Sequence, residues 1–324
     1  MPAEPLARVL RSGLEEAVHL GHVAVCDARG RLLAWSGDPA TVTFIRSCAK
    51  PVQAAVSLAA IGDLALTDRE VAIMCASHDG TPAHLRQVRS LLRRAAVGDE
   101  ALRTPAARPL DPDAAARVRT PTPVFHNCSG KHAGMLLACS RAGWRHATYP
   151  SRAHPLQRRV LEAMRGLSGE EPVLGIDGCG LPVHGMPLRA IATVFARLGD
   201  PDAQGELAPH VDRAMRAMRA EPVLVGGDRR DDTLVMRAAP GIVMKEGAEA
   251  IDCAVALEPR IGVAVKVADG GFRAAGPATV AVLAELGLVS PSARRRLRPV
   301  ERPAVRGGGA RVGVVEPVVR LRTR

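Results

Sequence analysis

Strand-like segments stand at both ends of this chain and helical ones fill its middle, and a sheet that must be assembled from both ends admits few folds. Residues 22–26 and 31–35 run apolar on either side of a glycine-containing turn at 27–30, the pattern of an antiparallel hairpin. Residues 242–245, 250–257 and 261–267 are Val-, Ile- and Ala-rich strands of the same kind, the last closed by the turn signal Asp269-Gly270-Gly271. Between them lies a short extended run, 41–45, and then a helix over 47–60 entered at Ser47 as its N-cap. Further helices read over 68–76 and 82–96, broken by His78-Asp79-Gly80, and over 129–141, 154–165, 187–198 and 209–220, with one strand at 173–177. Residues 97–123, rich in Pro, Ala, Arg and Asp, read as a surface connection with at most one short helix, and a last helix covers 277–286. No repeat of fixed period is present. The expectation is a single α/β (α+β) domain over residues 1–324, its antiparallel sheet formed from both chain ends, with flanking helices and a helical middle.

Hydrophobic residues make up 47% of the 324, enough for a sizeable core and too many for a disordered chain. The longest apolar runs, 54–61 and 261–267, fall far short of the roughly 20 residues that a bilayer span needs. The N-terminus has no basic start before an apolar run, so a cytoplasmic location and no membrane partner are expected. Seven cysteines, an odd number with no Cys-x-x-Cys pair, point to reduced thiols and exclude zinc-ribbon and thioredoxin patterns. The net charge is +11, but ten arginines against two glutamates in residues 294–324 carry eight of those charges. With only 2% aromatics to stack on bases, this distribution argues against a nucleic-acid partner, and the Arg-rich C-terminal segment reads as a solvated basic tail.

Lysine is the residue this chain avoids. Of 44 basic residues only Lys50, Lys131, Lys245 and Lys266 are lysines. A lysine kept in such a background is a candidate for what a guanidinium cannot do, namely lose a proton near neutral pH when desolvated or set beside another cation. Ser47-Cys48-Ala49-Lys50 is a Ser-x-x-Lys element at a helix start. Its i, i+3 spacing puts hydroxyl and amine on one helix face, where a neutral lysine can take the serine proton, and the free amides of a helix N-terminus can stabilise an oxyanion. The plainer reading is a capping serine followed by a surface lysine. Ser77 and His78 add a second hydroxyl and an imidazole after an apolar helix. The segment from Phe125 to Met135 is the densest in polar donors, and Asp177 and Cys179 share a tight turn after a strand. Cys128 and Cys179 with one nitrogen would make a three-ligand zinc site with an open position; on chemistry alone His132 or His126 supplies that nitrogen.

Arg46-Ser47-Cys48-Ala49-Lys50-Pro51, Cys75-Ala76-Ser77-His78, Asn127-Cys128-Ser129-Gly130-Lys131-His132, Asp177-Gly178-Cys179-Gly180-Leu181-Pro182 and Val265-Lys266-Val267-Ala268-Asp269-Gly270 follow one another in this order. Together they resemble the thermolabile L-asparaginase family of Rhizobium type over most of the chain. The resemblance implies a fold like that of serine β-lactamases and penicillin-binding enzymes, and hydrolysis of L-asparagine to L-aspartate and ammonia. It implies Ser47 with Lys50 as one Ser-Lys pair, Ser47 being the nucleophile, and Ser77 with Lys266 as the second. It implies a zinc ion held by Cys128, Lys131 and Cys179 as a structural or affinity element rather than a water activator; a lysine must be neutral to bind a metal. Asp177 is then the partner of the substrate's α-amino group and Arg230 of its α-carboxylate, with Arg46, His78 and Asn127 also at the substrate. Family members are homodimers, and a homodimer is expected here. The chain departs from the family at Cys48, where Ala or Gly is usual, at Asp231-Asp232 before Thr233, and at Ala250, where Gly often follows the glutamate. Another Ser-Lys amidohydrolase, glutaminase or β-lactamase/peptidase-like, and a non-catalytic binding protein are the alternatives on the same residues.

Overall fold

Residues 1–323 are described by a computed structural model. Its strands are β1 Glu4–Arg11, β2 Leu14–Asp27, β3 Leu32–Ser36, β4 Val42–Phe44, β5 Val173–Ile176, β6 Pro182–Pro187, β7 Ile242–Gly247, β8 Ile251–Ala256, β9 Ile261–Val267, β10 Ala304–Gly307, β11 Ala310–Pro317 and β12 Arg322–Thr323. Its helices are α1 Lys50–Ile61, α2 Asp68–Met74, α3 Pro82–Arg94, α4 Pro112–Ala116, α5 Ser129–Ala142, α6 Pro155–Ser168, α7 Leu188–Leu198, α8 Ala208–Ala220, α9 Pro222–Val225, α10 Asp231–Ala238, α11 Phe272–Glu285 and α12 Pro291–Glu301. The chain divides into two compact units, one comprising Met1–Cys48, Gly185–Ala203 and the chain from Leu234 on, the other Ala49–His184 and Gln204–Thr233.

The first unit is built on the sheet that the sequence places at the chain ends. Its order is β10-β11-β1-β2-β9-β8-β7, with β3 pairing β2 and β12 pairing β3. The expected hairpin is formed by β2 and β3, with Ala24 opposite Trp35. Alternation explains why the central strands read as unbroken apolar runs. Val23 and Val25 of β2 and Val263, Val265 and Val267 of β9 join one core with Ala274, Ala278 and Leu283 of α11. The intervening positions face α7, where the Cys26 thiol donates to the Arg189 carbonyl at 3.4 Å. Both faces are therefore covered, and both are apolar. A β-carbon at Gly262 of β9 would collide with the Ala192 carbonyl and the Ala196 nitrogen of α7, so only glycine permits this approach.

The C-terminal segment is not a solvated tail. Residues of α12 enter the core through Leu297 and Val300, and β11 extends the sheet by pairing with β1 in a register that sets Val9 opposite Val315. Its charge is partly matched: Glu316 accepts from Arg8 Nη2 at 2.7 Å and pairs with Arg302, while Arg294 pairs with Glu301 at 2.6 Å. The arginines hid an ordinary helix and hairpin.

The second unit is helical, with α1 packed on α5, α6 and α8, and α2 on α3, α5 and α8. Residues 97–123 hold the short α-helix α4 and a 3₁₀ turn at Asp99–Ala101. Among the described residues no helix is long and apolar enough to cross a membrane.

Replacing Gly262 with Ala is expected to cost at least about 3 kcal/mol in urea unfolding, whereas Gly241→Ala, with nothing within 4 Å of the added carbon, should stay within about 0.5 kcal/mol. Equal effects from the two would contradict the close packing of β9 on α7.

Candidate active site

The second unit carries one lysine-serine pair in direct contact. α2 starts from a capping box between Thr67 and Glu70 and stops at Met74, after which the chain runs on as a loop. That loop is pinned by three backbone bonds: Ser77 N–H to the Val225 carbonyl at 2.8 Å, His78 N–H to Asn127 at 3.0 Å, and Asp79 N–H to Gly226 at 2.8 Å. Lys50, the first residue of α1, has no exposed surface, and its Nζ donates to the Ala76 carbonyl at 2.5 Å and to Ser77 Oγ at 2.8 Å. The resemblance pairs Ser77 with Lys266; within the second unit Ser77 receives a hydrogen bond from Lys50. In the first unit the Lys266 amine donates to the backbone carbonyls of Glu249, at 2.6 Å, and Val267. Partial burial lowers its pKa, against the opposing pull of Glu249 and Asp269.

Ser47 is not the N-cap of α1. A 3₁₀ turn, Arg46–Ala49, precedes the helix, and Ala49 occupies the cap position without a side-chain bond. Arg46 enters that turn in the left-handed region at φ 49°, and Glu249 and Ala250 adopt φ 62° and 51°. Such backbone is costly for residues with a β-carbon and collects at functional sites. Arg46 and Glu249 also approach as an ion pair at 3.9 Å. The left-handed φ of Ala250 explains why a glycine is usual there. The Cys48 thiol donates to the Lys245 carbonyl at 3.0 Å, which ties the residue after Ser47 to β7.

Cys128, Lys131 and Cys179 come together in the second unit. All three are buried, and Lys131 Nζ lies 3.1 Å from Cys179 Sγ. A hydrogen bond from the Cys179 thiol holds the Cys128 thiol far below its ordinary pKa, helped by the Lys50 and Lys131 cations and opposed by burial. The proton stays on Cys179, whose pKa rises through the same bond and through burial. Burial alone would lower the Lys131 pKa, but the two sulfurs and Asp177 outweigh it and keep the amine charged. Of the two histidines named from the sequence, His126 also acts on the Cys128 thiol, and His132 keeps a buried Nε2 without a hydrogen-bond partner. His132 Nδ1 faces the Tyr149 hydroxyl at 2.6 Å, and His126 Nδ1 accepts the Cys128 N–H at 3.0 Å. Among the described residues no three His, Cys, Asp or Glu side chains form a metal-binding group.

The remaining expected residues are spread around these groups. Asp177 is half-buried on the 177–181 turn, its Oδ1 accepting from the Gly178 N–H at 2.9 Å and its Oδ2 lying 3.8 Å from Cys179 Sγ. Arg230 Nε donates to Asp79 Oδ1 at 2.8 Å. Asn127 contributes its carbonyl to the loop. His78 is wholly buried, with Nε2 3.0 Å from Ser129 Oγ and Nδ1 without a hydrogen-bond partner. Ser129, Asp79 and Glu249 were missed by sequence reasoning. Ser129 lay inside the polar 125–135 segment, and Glu249 was flagged only through the residue after it.

α5 reaches the 75–79 loop because it lacks side chains where it meets α2. A β-carbon at Gly130 would collide with the Ile73 carbonyl, and one at Gly134 would lie 2.7 Å from Met74 Cγ. In chelator-treated protein a thiolate absorbance near about 240 nm is expected at pH 7, lost in Cys128→Ser and persisting well below the titration range of an ordinary thiol. An absorbance that appears only above about pH 8 would contradict the thiol-thiolate pair.

A family model of L-asparaginase II matches residues 7–317. No curated protein matches the sequence. Similar solved structures include Mglu in its glutamate form, at 16% identity and TM-score 0.48; the match covers 83% of this chain and 61% of Mglu. A probable glutaminase from Bacillus subtilis complexed with 6-diazo-5-oxo-L-norleucine is similar at 11% identity and TM-score 0.46, over 83% of this chain and 84% of that one. A β-lactamase from Mycobacterium bovis is similar at 17% identity and TM-score 0.42, over 82% and 94%. The family match runs from β1 to the end of β11 and takes in every motif that carries chemistry, and the chain belongs to the L-asparaginase II family of amidohydrolases.

Proposed function

We propose that the protein is an L-asparaginase, hydrolysing the side-chain amide of L-asparagine to L-aspartate and ammonia by way of an ester on Ser47. The observation that carries this reading is the buried Lys50 amine, held 2.8 Å from a serine hydroxyl and placed three residues after Ser47 in the chain. A lysine serving as general base in water-excluded surroundings is the recurrent partner of a nucleophilic serine. Lys50 reacts as its neutral amine, formed by loss of a proton to solvent: it accepts the Ser47 proton as Oγ attacks the amide carbon, and the tetrahedral intermediate collapses with cleavage of the C–N bond. The leaving nitrogen takes the proton and departs as ammonia. Water then attacks the aspartyl ester, gives a proton to the lysine, and the ester C–O bond breaks as Ser47 recovers its hydrogen. Ser77, bonded to the same amine, keeps its lone pair directed. Lys266 supplies a second cation, and the half-buried Asp177 carboxylate suits the α-ammonium of an amino-acid substrate.

Cys128, Lys131 and Cys179 suit a thiophilic divalent ion: two sulfurs that share one proton, and an amine whose charge fills the place a metal would take. Zinc held by these three would supply a fixed charge that neutralises the sulfurs and ties the 177–181 turn to α5. Lys131 would give up its proton to bind it.

One observation favours a second reading of the nucleophile: a Lys50 hydrogen bond reaches Ser77 Oγ at 2.8 Å, which would make Ser77 the attacking hydroxyl.

Ammonia release from L-asparagine and from L-glutamine by wild type, Ser47→Ala, Ser77→Ala and Lys50→Ala separates these readings. Asparagine turnover is expected, falling by about 10⁴-fold or more in Ser47→Ala and about 10²- to 10⁴-fold in Lys50→Ala. Ser77→Ala is expected to lose only about 10- to 100-fold. A Ser47→Ala enzyme that keeps its rate while Ser77→Ala is dead would move the nucleophile to Ser77, and turnover of glutamine alone would replace the substrate.

A further inference from the structure

We propose that Ser129 and His78 are positioning residues for the catalytic amine: their hydrogen bond fixes the Ala76 carbonyl and Ser77 hydroxyl on which Lys50 rests. The inference builds on the reading of Lys50 as the base.

The direction of the bond follows from its neighbours. Ser129 Oγ donates its hydrogen to the Val124 carbonyl at 2.8 Å, so toward His78 Nε2, 3.0 Å away, it can only accept. His78 therefore carries its ring proton on Nε2. Burial first, then the stacked His84 ring and the Lys50 cation, hold the imidazole pKa well below its ordinary value, so the ring stays a neutral donor.

The ring is also clamped from its other side. His84 stacks on it at 5.3 Å and is itself fixed by the Thr81 hydroxyl at 2.7 Å and the Val223 carbonyl at 2.9 Å. Residue 78 is thus tied to the 124–129 segment twice, by its backbone N–H to Asn127 and by its ring to Ser129. Ser77, one residue before it, is held by its own N–H to the Val225 carbonyl at 2.8 Å. A buried imidazole is a poor choice for filling space; here Nε2 is matched by Ser129, while Nδ1 is buried with no hydrogen-bond partner. Its placement between two fixed partners and one residue from Ser77 is what a registry device requires. The resemblance placed His78 at the substrate; here it has no exposed surface and acts through Ser77.

The variants Ser129→Ala, His78→Leu and His78→Gln decide the matter by kinetics on L-asparagine and by crystal structures of each protein. His78→Gln keeps an N–H that can reach Ser129. Ser129→Ala and His78→Leu are expected to lower kcat about 10- to 100-fold with KM within about twofold, and to move Ser77 Oγ away from Lys50 Nζ by about 1 Å or more. His78→Gln should recover to within about fivefold of wild type, and a double variant combining Ser129→Ala with His78→Leu should be no worse than His78→Leu alone. A raised KM with kcat kept would assign His78 to the substrate and overturn the proposal, as would an unchanged Lys50–Ser77 distance in Ser129→Ala. If wild type releases no ammonia from asparagine, the asparaginase reading fails, while the crystallographic distance still tests the positioning role.

Discussion

A lysine amine without exposed surface must be met by oxygens, because an unsatisfied buried cation costs several kcal/mol. Lys50 finds them at Ala76 and Ser77, and much of the second unit can be read as the means of putting those two oxygens there. The loop that carries them exists because α2 ends at Met74 and the chain is then pinned to Val225, Gly226 and Asn127. Asn127 lies within reach because Gly130 and Gly134 let α5 close on Ile73 and Met74. A single buried charge thus accounts for a helix end, three loop bonds and two glycines that otherwise look unrelated.

The first unit offers a different constraint. Its sheet is closed from both chain ends, and the strands that meet in it are covered on both faces, which fixes register through alternation. On this rigid frame the chain spends conformational energy at Arg46, Glu249 and Ala250, the three left-handed residues nearest in sequence to Ser47 and to the Glu249 carbonyl that receives Lys266. Strain of this kind persists only where the surroundings over-determine it.

The scarcity of lysine was the most legible signal of function: Lys50 and Lys131 are each fully or nearly buried and each touches a serine or a thiol. Lys245, also buried, donates to the Glu246 carbonyl, a local use that the same count could not separate from the others. The sheet, its hairpin and most of the helices were readable because apolar period and turn residues agree there. Three things were not. The entry to α1 looked like a serine cap because the spacing cannot distinguish a 3₁₀ turn from the first turn of a helix. Composition says nothing about which way His132 turns, and its Nδ1 turns to Tyr149 while the Lys131 amine meets Cys179. The C-terminal helix and strands were hidden because arginines on exposed faces mask the apolar positions between them, such as Leu297 of α12 and Val315 of β11.

The central claim is that one buried amine serves one nucleophilic serine, and covalent capture tests it most directly. The diazoketone analogue of L-asparagine, incubated with the full-length protein and followed by peptide mass mapping, should leave one adduct per chain, on Ser47, absent when excess L-asparagine competes and absent in Lys50→Ala. An adduct on Ser77, or none at all in protein that is turning over asparagine, would contradict it.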